Sequence, residues 1–392
     1  LRGVDIRAAA AAFHANADAQ ICCAISTSLD PLQHRKPRCP RPDAFIQPSP
    51  WRPHVITSDH LISWSSPHAS NFLMALEARF PHSSVLQLFR VMLQSLDVNT
   101  RSNYGAGLLR FTQFCDELSI PESAHMPAST ELIALFASHH AGRLSDKTLN
   151  NWLAGLHFWH IVNGAEWKAN DKLHHVRRGF TKLVPPSSKH AKRPPVTLDA
   201  LCVLHDQLVL NNSFDTAVWA LASVAFWCCC HLGELLIPSI NAFNAVKHVS
   251  RQILPLSISQ LENGTHYSSF HIPWSKTTLN VGSDISITTR NHRTCPLDAL
   301  LNHCTGSLSL PSHTPLFVFR MPTGWSPMTH SWFLQRCNQI WVAAGYPDMP
   351  GHAFCIGGVT KLLLQGVPPD VVATQGHWKS QAFLEYWRQI SS

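Results

Sequence analysis

The sequence predicts a mainly α protein with a small β-sheet, built as a helical N-terminal part followed by an α+β C-terminal part. Three observations carry this expectation. Apolar residues recur at helical spacing from Ser83 to about Phe180. Two short runs, His266–Pro273 and Asp284–Thr289, alternate apolar and polar residues with a period near two. Between the two patterns, Lys182 to Pro195 is rich in proline and basic residues and reads as a linker.

Residues 1–82 are punctuated by Pro37, Pro40, Pro42, Pro48, Pro50 and Pro53, and no helical period persists there. This stretch is expected to be mostly disordered, or a leader from an unreliable gene model. The chain opens on Leu1, not on Met, so its start is expected to be incomplete. From Val85 to Leu96 the apolar spacing predicts a first helix. Thr100–Leu118 predicts a second, with Tyr104, Leu108, Phe111 and Phe114 on one face. A third spans Thr130–His140. Ser145 is placed to cap a fourth, which carries Leu149, Trp152, Leu153, Leu156 and Trp159. A fifth runs through Leu173, Val176 and Phe180. The helical domain is thus placed at 83–184, the linker at 185–195 and the second domain at 196–392.

The second domain opens at Thr197-Leu198-Asp199, a helix-start pattern. Phe214–Leu236 reads as one long apolar helix. The two alternating runs form a hairpin around a turn at Trp274–Gly282. Helices return at Pro296–Cys304, His330–Ala344, His352–Gln365, Pro369–Gln375 and Gln381–Gln389.

Composition narrows the classes of function. The 392 residues are 45% hydrophobic and 14% charged, with a net charge of +7 and 25 histidines. A modest basic excess suits a polyanionic partner. The window Lys168–Arg193 concentrates it, with eight Lys/Arg against the single acid Asp171. Arg177, Arg178, Lys182, Lys189, Lys192 and Arg193 either form a solvated helix face and tether or lie along phosphates as a strap. The 12 cysteines include no C-x-x-C pair, so neither a disulfide framework nor a zinc ribbon is expected, and a reducing, intracellular setting is. The longest apolar run, Ala217 to Cys230, is too short to span a membrane, and no secretory signal is evident.

Five short motifs carry the candidate chemistry: Cys230-His231-Leu232-Gly233-Glu234, Lys276 in the hairpin turn, His352-Ala353-Phe354-Cys355-Ile356-Gly357-Gly358, Gly376-His377-Trp378, and Tyr386-Trp387-Arg388. Taken singly, each has an ordinary reading. Tyr386 suits a helix tyrosine packing with Trp387, Lys276 a solvated turn lysine, His352 and His377 two incidental histidines among many, and Cys355 a small core residue.

Together they stand in the order and spacing of the tyrosine recombinases, the phage-integrase superfamily, which the region from about Ser83 to Gln389 resembles. The run Ile356-Gly357-Gly358, the segment Gly366–Asp370 and Tyr386-Trp387-Arg388 look most like fungal mobile elements of the Crypton or DIRS-like type. The resemblance implies a helical, SAM-like core-binding domain and an α+β catalytic domain closing as a C-shaped clamp on double-stranded DNA. It implies metal-free DNA breakage and rejoining, without a nucleotide or other cofactor, through a 3′-phosphotyrosine formed by Tyr386. His352 and His377 would assist at the phosphate, Lys276 would protonate the leaving oxygen, and Glu234 would support the helix end. It further implies a nuclear site of action, no membrane, and homotetramers in active relatives.

Two positions depart from the family. Where it has phosphate-clamping arginines, this chain has His231 and Cys355. A histidine is shorter than an arginine, unforked and only partly charged near neutrality, and a cysteine offers no cation. Arg290 and Arg293, just after the hairpin, are the candidates to replace them. The expected function is therefore a DNA-binding recombinase homologue with lost or impaired cleavage. The alternatives are a domesticated, non-catalytic DNA-binding or interaction protein and a decaying mobile-element copy.

Overall fold

The computed structural model describes residues 46–168, 170–188, 193–275 and 278–378. The chain divides into two compact units, Leu1–His190 and Ala191–Ser392.

Among the described residues of the N-terminal unit, eight helices follow one another: α1 (His60–Ser63), α2 (Pro67–Glu77), α3 (His82–Gln94), α4 (Val98–Glu117), α5 (Glu122–His125), α6 (Thr130–His139), α7 (Asp146–Val162) and α8 (Asp171–Leu183). Their starts are chemically marked. The side chains of Ser66, Ser129, Ser145 and Asn170 each accept a backbone N–H two or three residues into the helix. Helices α4 and α7 cross closely: a Cβ on Gly107 would collide with the backbone of Trp152, and one on Gly155 with that of Tyr104. Around this crossing Leu108, Phe111, Phe136, Leu149 and Leu156 are buried in one core.

Residues 46–82 do not match the expected leader. Helices α1 and α2 lie there, and Leu61, Trp64 and Ala69 are buried in the same core. Trp159 Nε1 donates to the Trp64 carbonyl at 2.9 Å, and the His60 ring stacks on Trp64 at 4.0 Å. Pro48, Pro50 and Pro53, read as breaks, precede these short helices, and two further prolines sit at helix starts: Pro67 in the first turn of α2 and Pro81 just before α3. The rest of the expected leader, residues 1–45, lies outside the described residues.

The C-terminal unit begins with α9 (Leu198–Gln207), capped by Thr197, and α10 (Ser213–Trp227). Every residue of α10 from Ala217 to Trp227 is buried. The expected helix to Leu236 does not continue. The chain turns at Cys229, whose φ is +53°, and restarts as the single turn α11 (Leu232–Leu235). A left-handed non-glycine residue is uncommon, and here it changes the direction of the chain so that His231 begins a helix instead of continuing one.

A three-stranded antiparallel sheet follows, in the order β1 (Ser259–Gln260), β2 (His266–Ile272), β3 (Ser283–Thr288). In the β2–β3 register Phe270 pairs with Ile285. Phe270, Ile272, Ile285 and Ile287 face the core, as the period-two pattern requires. Helix α12 (Pro296–Thr305) leads to a second hairpin, β4 (Val318–Met321) and β5 (Gly324–Pro327), and then to α13 (His330–Ala343), α14 (His352–Leu364) and α15 (Pro369–Gln375). The β4–β5 hairpin departs from the sequence expectation, because four-residue strands leave too short a pattern to read. Asp215 on α10 is clamped by Arg336 on α13 through two bonds of 2.8 and 2.9 Å.

Helix α14 reaches the centre of this unit through its two glycines. A Cβ on Gly357 would overlap the carbonyl oxygen of Val196, and one on Gly358 that of Phe226. The Val196 N–H donates to the Ala353 carbonyl at 2.9 Å, fixing the same end of the helix. Gly358→Ala should therefore lower stability by about 1–3 kcal/mol through overpacking. Denaturant unfolding measures this, and an unchanged midpoint would refute so close an approach. The helix expected at Gln381–Gln389 lies outside the described residues.

Candidate functional site

The turn at Cys229 and the glycine-mediated approach of α14 bring three separate motifs together. His231 stands immediately before α11, His352 is the first residue of α14, and Cys355 lies one turn further along α14. The rings of His231 and His352 are parallel, with centroids 5.3 Å apart and an interplanar angle of 6°. One donor atom from each of His231, His352 and Cys355 lies within 4.8 Å of the others. The indole of Trp378, just after α15, meets the His231 ring edge-on at 6.2 Å.

The surroundings set the chemistry of these groups. The Glu234 carboxylate accepts the His231 backbone N–H at 2.9 Å, which secures the start of α11. Burial pushes the Glu234 acid up to about 7 despite that bond. Cys355 is fully buried, and burial, reinforced by the nearby Glu234 charge, pushes its thiol well up. Burial lowers His352, and the charge of Arg193 lowers it further, which favours the neutral imidazole. His377 is likewise lowered by burial, against an opposing pull from Asp284 on β3. His377 has a φ of +58°, and Gln375 beside it donates to the Ser286 carbonyl on β3 at 2.7 Å, which docks the end of α15 on the sheet.

The structure therefore brings His231, Glu234, His352 and Cys355 into one cluster and places His377 at the α15–β3 junction. Tyr386 and Lys276 lie outside the described residues. Neither arginine after the hairpin is held as a clamp on this cluster. Arg293 donates to Asp206 at 2.9 Å, and Arg290 lies 3.6 Å from the ring centre of Trp227, stacked on its face. Arg193, read from the sequence only as part of the basic strap, is exposed but close enough to act on His352. The sequence carried no signal for that pairing, nor for Trp378 packing against His231.

The other basic candidates occupy α8. Leu173 and Phe180 are buried, whereas Arg177, Arg178 and Lys182 are exposed. Arg177 also donates to the Asn150 side chain at 2.8 Å. Lys189 and Lys192 lie outside the described residues.

No known protein-family model matches the chain, and no curated protein does. Solved structures do. A post-cleavage complex of the XerH site-specific recombinase with a palindromic difH substrate aligns over 85% of this chain and 93% of its own, at 14% identity and a TM-score of 0.52. The XerH pre-cleavage complex aligns over 86% and 96%, at 13% identity and a TM-score of 0.47. The Tn1549 transposon integrase in complex with transposon right-end DNA aligns over 82% and 95%, at 12% identity and a TM-score of 0.44. The chain has the fold of the tyrosine recombinases, mainly helical with small antiparallel sheets. No helix among the described residues is long and apolar enough to cross a membrane.

Proposed function

We propose that the protein binds double-stranded DNA through the recombinase fold and has lost, or nearly lost, strand cleavage. The observation that carries this reading is the convergence of the two clamp positions on one point without a guanidinium at either: His231 and Cys355 contribute a ring nitrogen and a thiol to one cluster. A phosphodiester there would meet a neutral His352 and a protonated thiol. The exposed Arg193 is a cation acting on this cluster. That suffices for contact with a phosphate, but it provides no preorganised bidentate clamp. The DNA-bound state of the XerH recombinase, alike in fold, supports DNA as the partner.

In this reading the helical domain contributes the basic face of α8 to the DNA backbone, while the second domain holds the remnant of the catalytic site with Tyr386 as its nucleophile position. Duplex binding should weaken steeply with salt. Replacing Arg177, Arg178 and Lys182 by glutamate should weaken binding alike on unrelated sequences. The slope of log K against log salt should become shallower by about 0.9 for each phosphate that the variant no longer neutralises. Fluorescence anisotropy across a salt series reads both quantities. Equal affinity and slope for the triple variant would remove α8 from the interface, and the absence of any salt-dependent binding by the intact chain would remove DNA as the partner.

A further inference from the structure

The geometry points to a zinc site formed by His231, His352 and Cys355. Their donor atoms, a ring nitrogen from each histidine and the cysteine Sγ, lie within 4.8 Å of one another. In a tetrahedral zinc centre, bonds of about 2.0–2.1 Å to nitrogen and about 2.3 Å to sulfur put neighbouring donors roughly 3.3–3.7 Å apart. Closing the set around an ion thus takes side-chain movements on the order of 1 Å, with no need to move the backbone.

The scaffold favours that closure. His352 and Cys355 are three residues apart in the first turn of α14, the spacing that puts two side chains on the same helix face. His231 comes to them from a separate element, its position set by the turn at Cys229 and by the bond from its N–H to Glu234. The rings of His231 and His352 stack in parallel, and the thiol within reach of both is buried. Two imidazoles and a thiolate are a borderline-soft donor set that suits zinc and disfavours magnesium or calcium.

The histidines are half-buried and Cys355 is fully buried. An ion enters from the histidine side and keeps its fourth position toward that side for water or an anion. Three protein ligands with one open position is the arrangement of reactive zinc centres rather than of closed structural ones. Binding displaces the Cys355 thiol proton to solvent, so the divalent ion and the thiolate together leave one positive charge at the cluster. That this charge replaces part of a missing phosphate clamp rests on the reading above; the metal site itself does not.

The test uses the purified full chain, stripped of metal with a chelator and free of DNA. Titration with zinc against a chromophoric chelator should give one tight site per chain. Cys355→Ser and His231→Ala should each weaken that site by at least about a hundredfold. Cobalt(II), as a spectroscopic stand-in, should produce the near-ultraviolet sulfur-to-cobalt charge-transfer band, and Cys355→Ser should abolish it. The absence of that band from the intact chain overturns the site whether or not the variants fold. A band that survives in folded Cys355→Ser belongs to another cysteine and overturns it equally. Because no DNA is present, these outcomes are independent of whether the chain binds DNA.

Discussion

On a DNA substrate that traps covalent intermediates, with chelator present, the chain should form a Tyr386 adduct on the order of 10⁴-fold more slowly than arginine-bearing chains of the same fold. Each preorganised donor missing from the transition state costs roughly 3 kcal/mol, and two positions lack theirs. The two are not equivalent sites for repair. Position 231 is only half-buried at the start of a helical turn, so His231→Arg can keep part of its guanidinium in solvent and should raise trapping by about a hundredfold. Position 355 is fully buried on the helix that packs against α10. Cys355→Arg must bury a charge there, and it should lower stability by several kcal/mol without raising the trapping rate. Time courses of the covalent adduct on denaturing gels, with thermal melts alongside, read all three outcomes. Trapping by the intact chain as fast as by active arginine-bearing chains would sink the account of impaired cleavage, and a stable, faster Cys355→Arg chain would overturn the account of the second position.

Two buried histidines, one in each unit, should each make the protein less stable in acid. His160 in α7 is fully buried, and its tautomer is set by two bonds: Nε2 accepts the Ala128 N–H at 2.9 Å, while Nδ1 faces the Leu156 carbonyl at 2.8 Å. A second proton would have to displace the Ala128 bond. Burial depresses His160 to about 4, and His303, buried against the Leu316 carbonyl, also to about 4. In the unfolded chain both have the ordinary value of 6.5. Above pH 6.5 neither state binds the proton, so these groups exert no pH effect. Between 6.5 and about 4 the unfolded chain binds more protons than the native one, and stability falls as the pH falls. Each histidine should remove about 3 kcal/mol across that window, a large part of the margin of an ordinary domain. Denaturant unfolding at pH 7 and pH 4.5 measures it. Glu234, whose acid burial raises to about 7, works the other way and gains stability as the pH falls. The intact chain is therefore compared with His160→Gln and His303→Gln. Variants that lose as much stability as the intact chain between pH 7 and 4.5 would show that the buried neutral histidines are not as the structure places them.

The candidate site was legible as a set of positions but not as an arrangement. The order of His231, Glu234, His352, Cys355 and His377 along the chain was enough to name a fold, and the fold is the one observed. Missing from the sequence was the company these residues keep. Arg193 looked like part of a strap, yet its charge acts on His352, and Arg290 looked like a possible replacement clamp, yet it is stacked on Trp227. Such pairings join residues more than sixty positions apart, and no local spacing encodes them. Residues 46–82 were misread for a different reason. The prolines up to Pro53 suggested an unfolded leader, and the turn that follows them, α1, has too few residues to display a period.

By itself the sequence determined the helices with capped starts and sustained apolar faces, from Ser145 at the head of α7 to Thr197 at the head of α9, and the alternation that pairs β2 with β3. Those features are local, since a cap and a period act within a few residues. Only the tertiary structure decided that the apolar run through Cys228, Cys229 and Cys230 ends a helix instead of extending it. At that break α14 presses its glycines onto the Phe226 and Val196 carbonyls, an approach between segments far apart in the chain. The same packing makes neighbours of His231 and Cys355, which share one cluster with His352.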